Sequence, residues 1–243
     1  MSETPVLFEI QEGAVALITI NRPARRNALD AATSAALSAA VARFEADTDL
    51  RVAVLCGAGP VFCAGMDLAA FGAGEADAVL FGPGGFGGVT EAQRRKPLIA
   101  AVHGAALAGG FELALACDMI VAEEGCRFGV PEVIRGLVAG AGGALRLASM
   151  IPPARAREII LTGRMFDTEE AWDLGLIARR AAAGEGVATA LALAREIAAN
   201  APLAVTESLR LSRAAERAQL AELWPENARR LRASLASEDA QEG

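Results

Sequence analysis

Between positions 97 and 122 the chain runs from a short apolar stretch (97–102) through the glycine turn His103-Gly104-Ala105-Ala106-Leu107-Ala108-Gly109-Gly110. It continues into an apolar helical stretch (111–116) and out into a second apolar run (119–122). Strand and helix follow one another with short links, and that alternation implies a layered α/β core. The segments before it fit the same plan. Residues 6–10 and 14–20 read as strands joined by Gln11-Glu12-Gly13, an opening antiparallel hairpin. A polar loop, Asn21-Arg22-Pro23-Ala24-Arg25-Arg26-Asn27-Ala28-Leu29, leads to Asp30, which is placed to cap an alanine-rich helix reaching about Asp47. Residues 52–56 form a short buried strand, and 57–60 turn into Phe62-Cys63-Ala64-Gly65-Met66-Asp67-Leu68. The glycine-rich stretch 71–88, with Phe81 and Phe86 embedded, has the composition of a mobile loop over a pocket. From Ala141 onward the pattern is helical, over 142–150, 154–161, 168–174, 186–200 and a long last segment, 201–236. That last segment is too elongated to fold alone and is expected to dock on the core or on a neighbouring subunit.

A length of 243 residues with 53% apolar content suits one large domain or a core with a small appendage. We divide it into a core, residues 1–190, and a helical C-terminal region, residues 191–243. The net charge is −7, Lys96 is the only lysine, and the arginines are scattered, so no basic stripe is available for a phosphate backbone. Nucleic-acid binding is disfavoured. Cys56, Cys63, Cys117 and Cys126 lack metal-ligand or CxxC spacing and sit among apolar neighbours, as small core residues in a reduced, cytoplasmic setting would. Met1 to Glu12 lacks the layout of a signal peptide, and every apolar run is interrupted before it could cross a membrane.

Three pieces carry chemistry. In Ala106-Leu107-Ala108-Gly109-Gly110-Phe111-Glu112, glycine lets the backbone approach a ligand carbonyl, and the helix that follows turns its positive end and free N–H groups toward developing negative charge. The same glycines also serve a tight strand-to-helix turn. Phe62-Cys63-Ala64-Gly65-Met66-Asp67 is a second glycine bend, where the Met66 N–H would be another donor or the turn would be a turn only. One such donor contributes roughly 3–4 kcal/mol to a transition state. Glu112 and Glu132, each beside a glycine or proline bend in apolar surroundings, suit paired acid/base work or an ordinary salt-bridged helix edge. His103, the only histidine, ends a strand before the turn and reads as structural. Pro153, Trp172 and Trp224 read as packing residues.

Together these pieces resemble the enoyl-CoA hydratase/isomerase (crotonase) superfamily. The matching points, in order, are Asn21-Arg22-Pro23 with Asn27-Ala28-Leu29, Phe62 to Leu68, Ala100-Ala101-Val102-His103-Gly104, and Gly109-Gly110-Phe111-Glu112-Leu113-Ala114. They continue with Cys117-Asp118, Phe128-Gly129-Val130-Pro131-Glu132, Gly136-Leu137, Gly140-Ala141-Gly142-Gly143 with Arg146-Leu147, and Leu161-Thr162-Gly163. The resemblance implies a crotonase-like spiral of ββα units with a helical C-terminal region that makes trimers, often dimers of trimers. It implies a coenzyme A thioester as substrate, part of which is the coenzyme itself, so that no metal and no separate cofactor is needed. The thioester carbonyl would accept from Met66 and Gly109, and Glu112 and Glu132 would be the acid/base pair of a hydratase. Arg25 and Arg26 would lie near the phosphates, and Ala64, Asp67, Leu68, Gly110 and Gly140 along the bound thioester. The expected activity is reversible hydration of a 2-enoyl-CoA in fatty acid metabolism. The run from Gly109 to Asp118 resembles the carnitinyl-CoA dehydratase branch, so a specialised dehydratase is one alternative and a double-bond isomerase another. A third, an RNA-binding or scaffold homologue, would need a lysine-rich helix. The chain departs from the pattern at Ala108, where relatives commonly have glycine, and at Ala139, where many have proline. Relatives with the Glu238-Asp239-Ala240 pattern usually continue into a short basic, aromatic tail.

Overall fold

A computed structural model describes residues 4–220 and 224–236, so the Glu238-Asp239-Ala240 pattern lies outside the described residues. Strands β1 (Val6–Gln11) and β2 (Val15–Ile20) form the expected hairpin, in register from Val6 with Ile20 to Gln11 with Val15. A 3-10 turn, Pro23–Arg25, leads to helix α1 (Ala31–Ala46). Asp30 caps it, its carboxylate accepting from the Thr33 N–H at 2.8 Å and the Thr33 hydroxyl at 2.6 Å. Strand β3 (Val52–Gly57) is followed by the short helices α2 (Leu68–Gly72) and α3 (Ala76–Leu80). Next come β4 (Leu98–Val102), β5 (Ala105–Leu107), α4 (Gly109–Ala116), β6 (Met119–Glu123) and β7 (Arg127–Gly129). The remainder is α5 (Gly143–Met150), α6 (Pro153–Thr162), β8 (Phe166–Asp167), α7 (Thr168–Asp173), β9 (Arg179–Ala181), α8 (Gly186–Ala198), α9 (Pro202–Leu220) and α10 (Trp224–Leu235).

The larger sheet has the order β1-β2-β3-β4-β6-β9 and is parallel after the first hairpin; β5-β7-β8 form a second sheet. Each inner strand of the large sheet is followed by a short extended segment in the second layer. Leu29, after β2, bridges Met66, after β3; Cys63 bridges Ala106 of β5, after β4; and β5 pairs with β7, after β6. One long strand, one short strand and one helix make each turn of a ββα spiral. The two-residue period of the long strands sorts their side chains between two cores. Val15, Val52, Val54, Ile99 and Val121 pack with Ala190, Leu193 and Ala194 of α8, whereas Ile18, Leu55, Ala100 and Val102 join the core shared with α1 and α4. With both faces covered, the strands read as continuous apolar runs. Phe111 of α4 locks the helix to the second sheet through Phe128, at 5.4 Å between ring centroids, and Phe166, at 5.7 Å.

Three expectations change. Segment 71–88 is packed rather than an irregular loop: it includes α3, Val79 and Phe86 are fully buried, and a Cβ on Gly88 would collide with Ser38 of α1. Gly87 and Gly88 serve close approach to α1, which composition alone does not distinguish from mobility. The region after Ala141 is interrupted by β8 and β9, which are too short to leave an alternating pattern. The boundary at 190 falls within α8, whose residues on both sides of it pack on the same sheet face, so the separate helical region starts with α9. That region docks on the core of its own chain. Arg213 of α9 donates to Asp118 at 2.7 and 2.6 Å, and Leu231 of α10 is buried. No helix among the described residues is long and apolar enough to cross a membrane.

The polar loop after β2 is fixed by Arg22. Its guanidinium lies 2.7 Å from Asp30 and 3.1 Å from Asp67, and it donates to the Ala28 carbonyl, joining the starts of α1 and α2. Replacing it leaves two largely sheltered carboxylates unpaired. Arg22→Ala is therefore expected to lower unfolding stability by about 2 kcal/mol in urea titrations, with Arg22→Lys recovering only part because one ammonium cannot span both acids.

Candidate active site

The two glycine bends meet. The Leu29 N–H donates to the Gly65 carbonyl and the Asp67 N–H to the Leu29 carbonyl, both at 2.8 Å. This parallel bridge leaves the N–H of the intervening Met66 facing away from Leu29. Gly65, at φ +99°, lies so close to α4 that a Cβ there would be 3.0 Å from the Gly109 nitrogen. Gly109 opens α4, where the first N–H groups have no partner inside the helix and the macrodipole is positive. Gly110 is absent from the cavity wall and has a different task. A side chain there would collide with the Cys63 carbonyl, so this glycine lets α4 start against the extended segment that carries Met66. Ala108, immediately before the donor, has φ +50° and ψ −130°, a conformation ordinarily left to glycine.

A cavity of about 480 Å³ opens beside these donors. Met66, Gly109, Glu112 and Glu132 line it, as do Ala64, Leu68 and Gly140. Its apolar wall comes from Phe71, Leu80, Phe86, Leu137, Val138 and Leu231. Asp67 lies off the wall: its carboxylate caps α2 at the Ala69 N–H, 2.9 Å away, and pairs with Arg22. Arg25 and Arg26 are exposed, and the Arg26 carbonyl accepts from the Ala64 N–H at 3.1 Å, which ties their loop to one edge of the cavity. His103 Nε2 lies 3.0 Å from the Gly59 carbonyl, away from the cavity, and all four cysteines are buried and free.

Glu112 is 3% exposed and accepts from the Gly143 N–H at 2.7 Å, with the Ala141 N–H as a second, weaker donor. Burial pushes its carboxyl up to about 7, against the opposing pull of those N–H groups and of the Arg146 guanidinium. Glu132 Oε2 is buried without a hydrogen-bond partner among the described residues. Burial first, and then the charge of Glu112, raise the Glu132 carboxyl well above the usual range. The two acids titrate as one unit. Sequence reading did not assign roles to Gly143 and Arg146, which appeared only inside a glycine-rich motif, or to Phe86 and Leu231, which looked like any other apolar residues.

The family described as enoyl-CoA hydratase/isomerase matches residues 10–243. A carnitinyl-CoA dehydratase of Salmonella typhi is 44% identical over 216 residues, 88% of this chain and 82% of its own length. Among solved structures, a carnitinyl-CoA hydratase from Mycobacterium avium has a TM-score of 0.94 at 42% identity, over 100% of this chain and 94% of that one. An enoyl-CoA hydratase from Mycobacterium tuberculosis H37Rv has a TM-score of 0.85 at 47% identity, over 99% and 94%.

Two measurements probe this geometry. Ala108→Gly relieves a strained φ at a small cost in unfolded-chain entropy, and is expected to raise stability by up to about 1 kcal/mol in urea unfolding. Between pH 4.5 and about 7 the folded chain keeps a proton on Glu112 that the unfolded chain releases, so stability contributed below pH 4.5 is lost as pH rises. Relative to a Glu112→Gln, Glu132→Gln double variant, the wild type is expected to lose stability steadily across that window in urea titrations, with both carboxyls contributing to the loss.

Proposed function

The chain belongs to the enoyl-CoA hydratase/isomerase family, and on that footing we propose that it is a hydro-lyase that adds water across the 2,3 double bond of a 2-enoyl-CoA thioester, or removes it in reverse. The observation that carries this reading is the pair of carboxyls, buried Glu112 and half-buried Glu132, that line one cavity with Met66 and Gly109. The N–H groups of Met66 and Gly109 would hold the thioester oxygen as it gains charge, each contributing roughly 3–4 kcal/mol to the transition state. The ionised carboxylate takes a proton from water as the oxygen attacks the β-carbon, and the protonated one delivers a proton to the α-carbon. Glu112, with an N–H and a guanidinium to stabilise its charge, suits the first task; Glu132, with Oε2 unpartnered, suits the second. No metal or redox cofactor enters these steps.

The exposed guanidiniums of Arg25 and Arg26 supply charge for the coenzyme phosphates, with Ala64, Leu68 and Gly140 beside the pantetheine and acyl parts. Asp67 acts through Arg22 and Gly110 through packing, so both support the oxyanion turn instead of the bound thioester. The assembly is a trimer or a dimer of trimers, working in the cytoplasm on acyl-CoA metabolism such as that of fatty acids. Dehydration of a specialised acyl-CoA is a second reading, favoured by the 44% identity to a carnitinyl-CoA dehydratase. The RNA-binding alternative is further weakened because Lys96 is engaged at the end of α1, donating to the Phe44 carbonyl at 2.8 Å.

Glu112→Gln and Glu132→Gln are each expected to lower crotonyl-CoA hydration by roughly 10²- to 10⁴-fold while binding of the thioester persists. Wild-type rates in both would overturn the assignment. In deuterated water the product is expected to carry a β-hydroxyl; a shifted double bond with no added oxygen would make the enzyme an isomerase.

A further inference from the structure

Helix α10 is held beside the cavity by three side chains that contact three different segments. Asn227 Nδ2 donates to the Gly140 carbonyl at 2.6 Å, the Arg232 guanidinium stands 3.9 Å from the centroid of the Phe81 ring, and the Trp224 ring lies 5.3 Å from the guanidinium of Arg146. Between them Leu231, 4% exposed, lies flat on Gly140 and lines the cavity. A Cβ at Gly140 would come within 2.5–2.8 Å of Leu231 Cδ2, Cβ and Cγ. Gly140 does not have the left-handed φ of its neighbour Gly142, so backbone conformation is not what calls for glycine there. What calls for it is the seat of Leu231. The other apolar wall residues, Phe71, Leu80, Phe86, Leu137 and Val138, belong to segments built into the spiral. Leu231 alone among them comes from the C-terminal helices.

We propose that Leu231 is a specificity-determining residue that limits acyl length, so that this protein takes short-chain acyl-CoA thioesters and α10 forms the end wall of the acyl site. The proposal rests on the acyl-CoA reading above. Its physical basis is that a methylene buried in an apolar pocket changes discrimination by roughly tenfold or more, and that truncating leucine to alanine removes three carbons from the wall. The charged and polar groups that line the cavity with Leu231 are Glu112, Glu132 and Arg135, and Asn227 beside it on α10 is engaged with Gly140.

The test is calorimetric binding of saturated butyryl-, hexanoyl- and decanoyl-CoA, which needs no turnover, to the wild type, Leu231→Ala and Leu231→Phe. The wild type is expected to prefer butyryl- or hexanoyl- over decanoyl-CoA. Leu231→Ala should shift the decanoyl-to-butyryl affinity ratio upward by at least tenfold, and Leu231→Phe should weaken hexanoyl-CoA relative to butyryl-CoA. If Leu231→Ala does not fold, the phenylalanine variant decides alone. Unchanged ratios in the folded variants, with all proteins binding acyl-CoA, would overturn the role of Leu231 and leave the hydro-lyase reading standing. Failure of the wild type to bind any of the three thioesters would overturn both.

Discussion

The structure is organised by the burial of one carboxylate. Glu112 sits in the first turn of α4 with almost no solvent contact, and an ionised group in that position costs several kcal/mol unless the protein replaces the water it lost. Four things do so in part: the positive end of α4, the Gly143 N–H, the charge of Arg146 and the Ala141 N–H. The Gly143 N–H can reach only if the start of α5 lies directly over α4, and that explains the glycine. A Cβ at position 143 would be 2.9 Å from Glu112 Oε1 and 3.1 Å from Val130. Arg146 in turn donates to the carbonyls of Ala141 and Thr90 and stacks near Trp224. The solvation of Glu112 is thereby tied to the docking of α10, and the acid/base pair and the end of the cavity form one packing problem.

The proposed oxyanion site has a different origin. Its two donors come from different turns of the spiral, 43 positions apart in sequence between Met66 and Gly109, and meet because the second layer pairs Leu29 with Met66 and Cys63 with Ala106. Close approach there depends on missing side chains at Gly65, Gly109 and Gly110; the ring of Phe86 occupies the space a Cβ on Gly109 would need. Ala108 is the exception, with a methyl group in a conformation that disfavours it. That methyl lines the cavity, so backbone strain beside the donor is coupled to the shape of the space the ligand would occupy.

How much of this was legible in the sequence follows from range. The hairpin, the Asp30 cap, β3, β4, α4 and β6 depend on local periodicity and capping, and they lie where the pattern puts them. Motif resemblance, which carries information from beyond any local window, brought Met66, Gly109, Glu112 and Glu132 onto one list, and the fold brings them onto one cavity. What local pattern missed was held by long-range contact. β8 has two residues and is a strand only because Arg127 and Phe128 pair with it; Gly87 and Gly88 look flexible until Leu37 and Ser38 of α1 are known to press against them. Asp67 belongs to the right motif, but the partner that claims it, Arg22, comes from the loop after the first hairpin.

The division of labour between the two glutamates follows from their surroundings more than from their identity. Both are carboxyls in the same apolar space, so burial raises both, and mutual repulsion ensures that the second proton leaves far less readily than the first. The asymmetry comes from Gly143 and Arg146, which stabilise charge on Glu112 and offer nothing comparable to Glu132, whose Oε2 has no partner among the described residues. Once the first proton has left the pair, the one that remains therefore belongs on Glu132 and the negative charge on Glu112. A pair in that state would take a proton from water at Glu112 and give one to carbon from Glu132, which leaves the remaining proton on Glu112 until it passes back to Glu132 for the next turnover. The groups that stabilise the buried charge thus also set the direction in which the protons move.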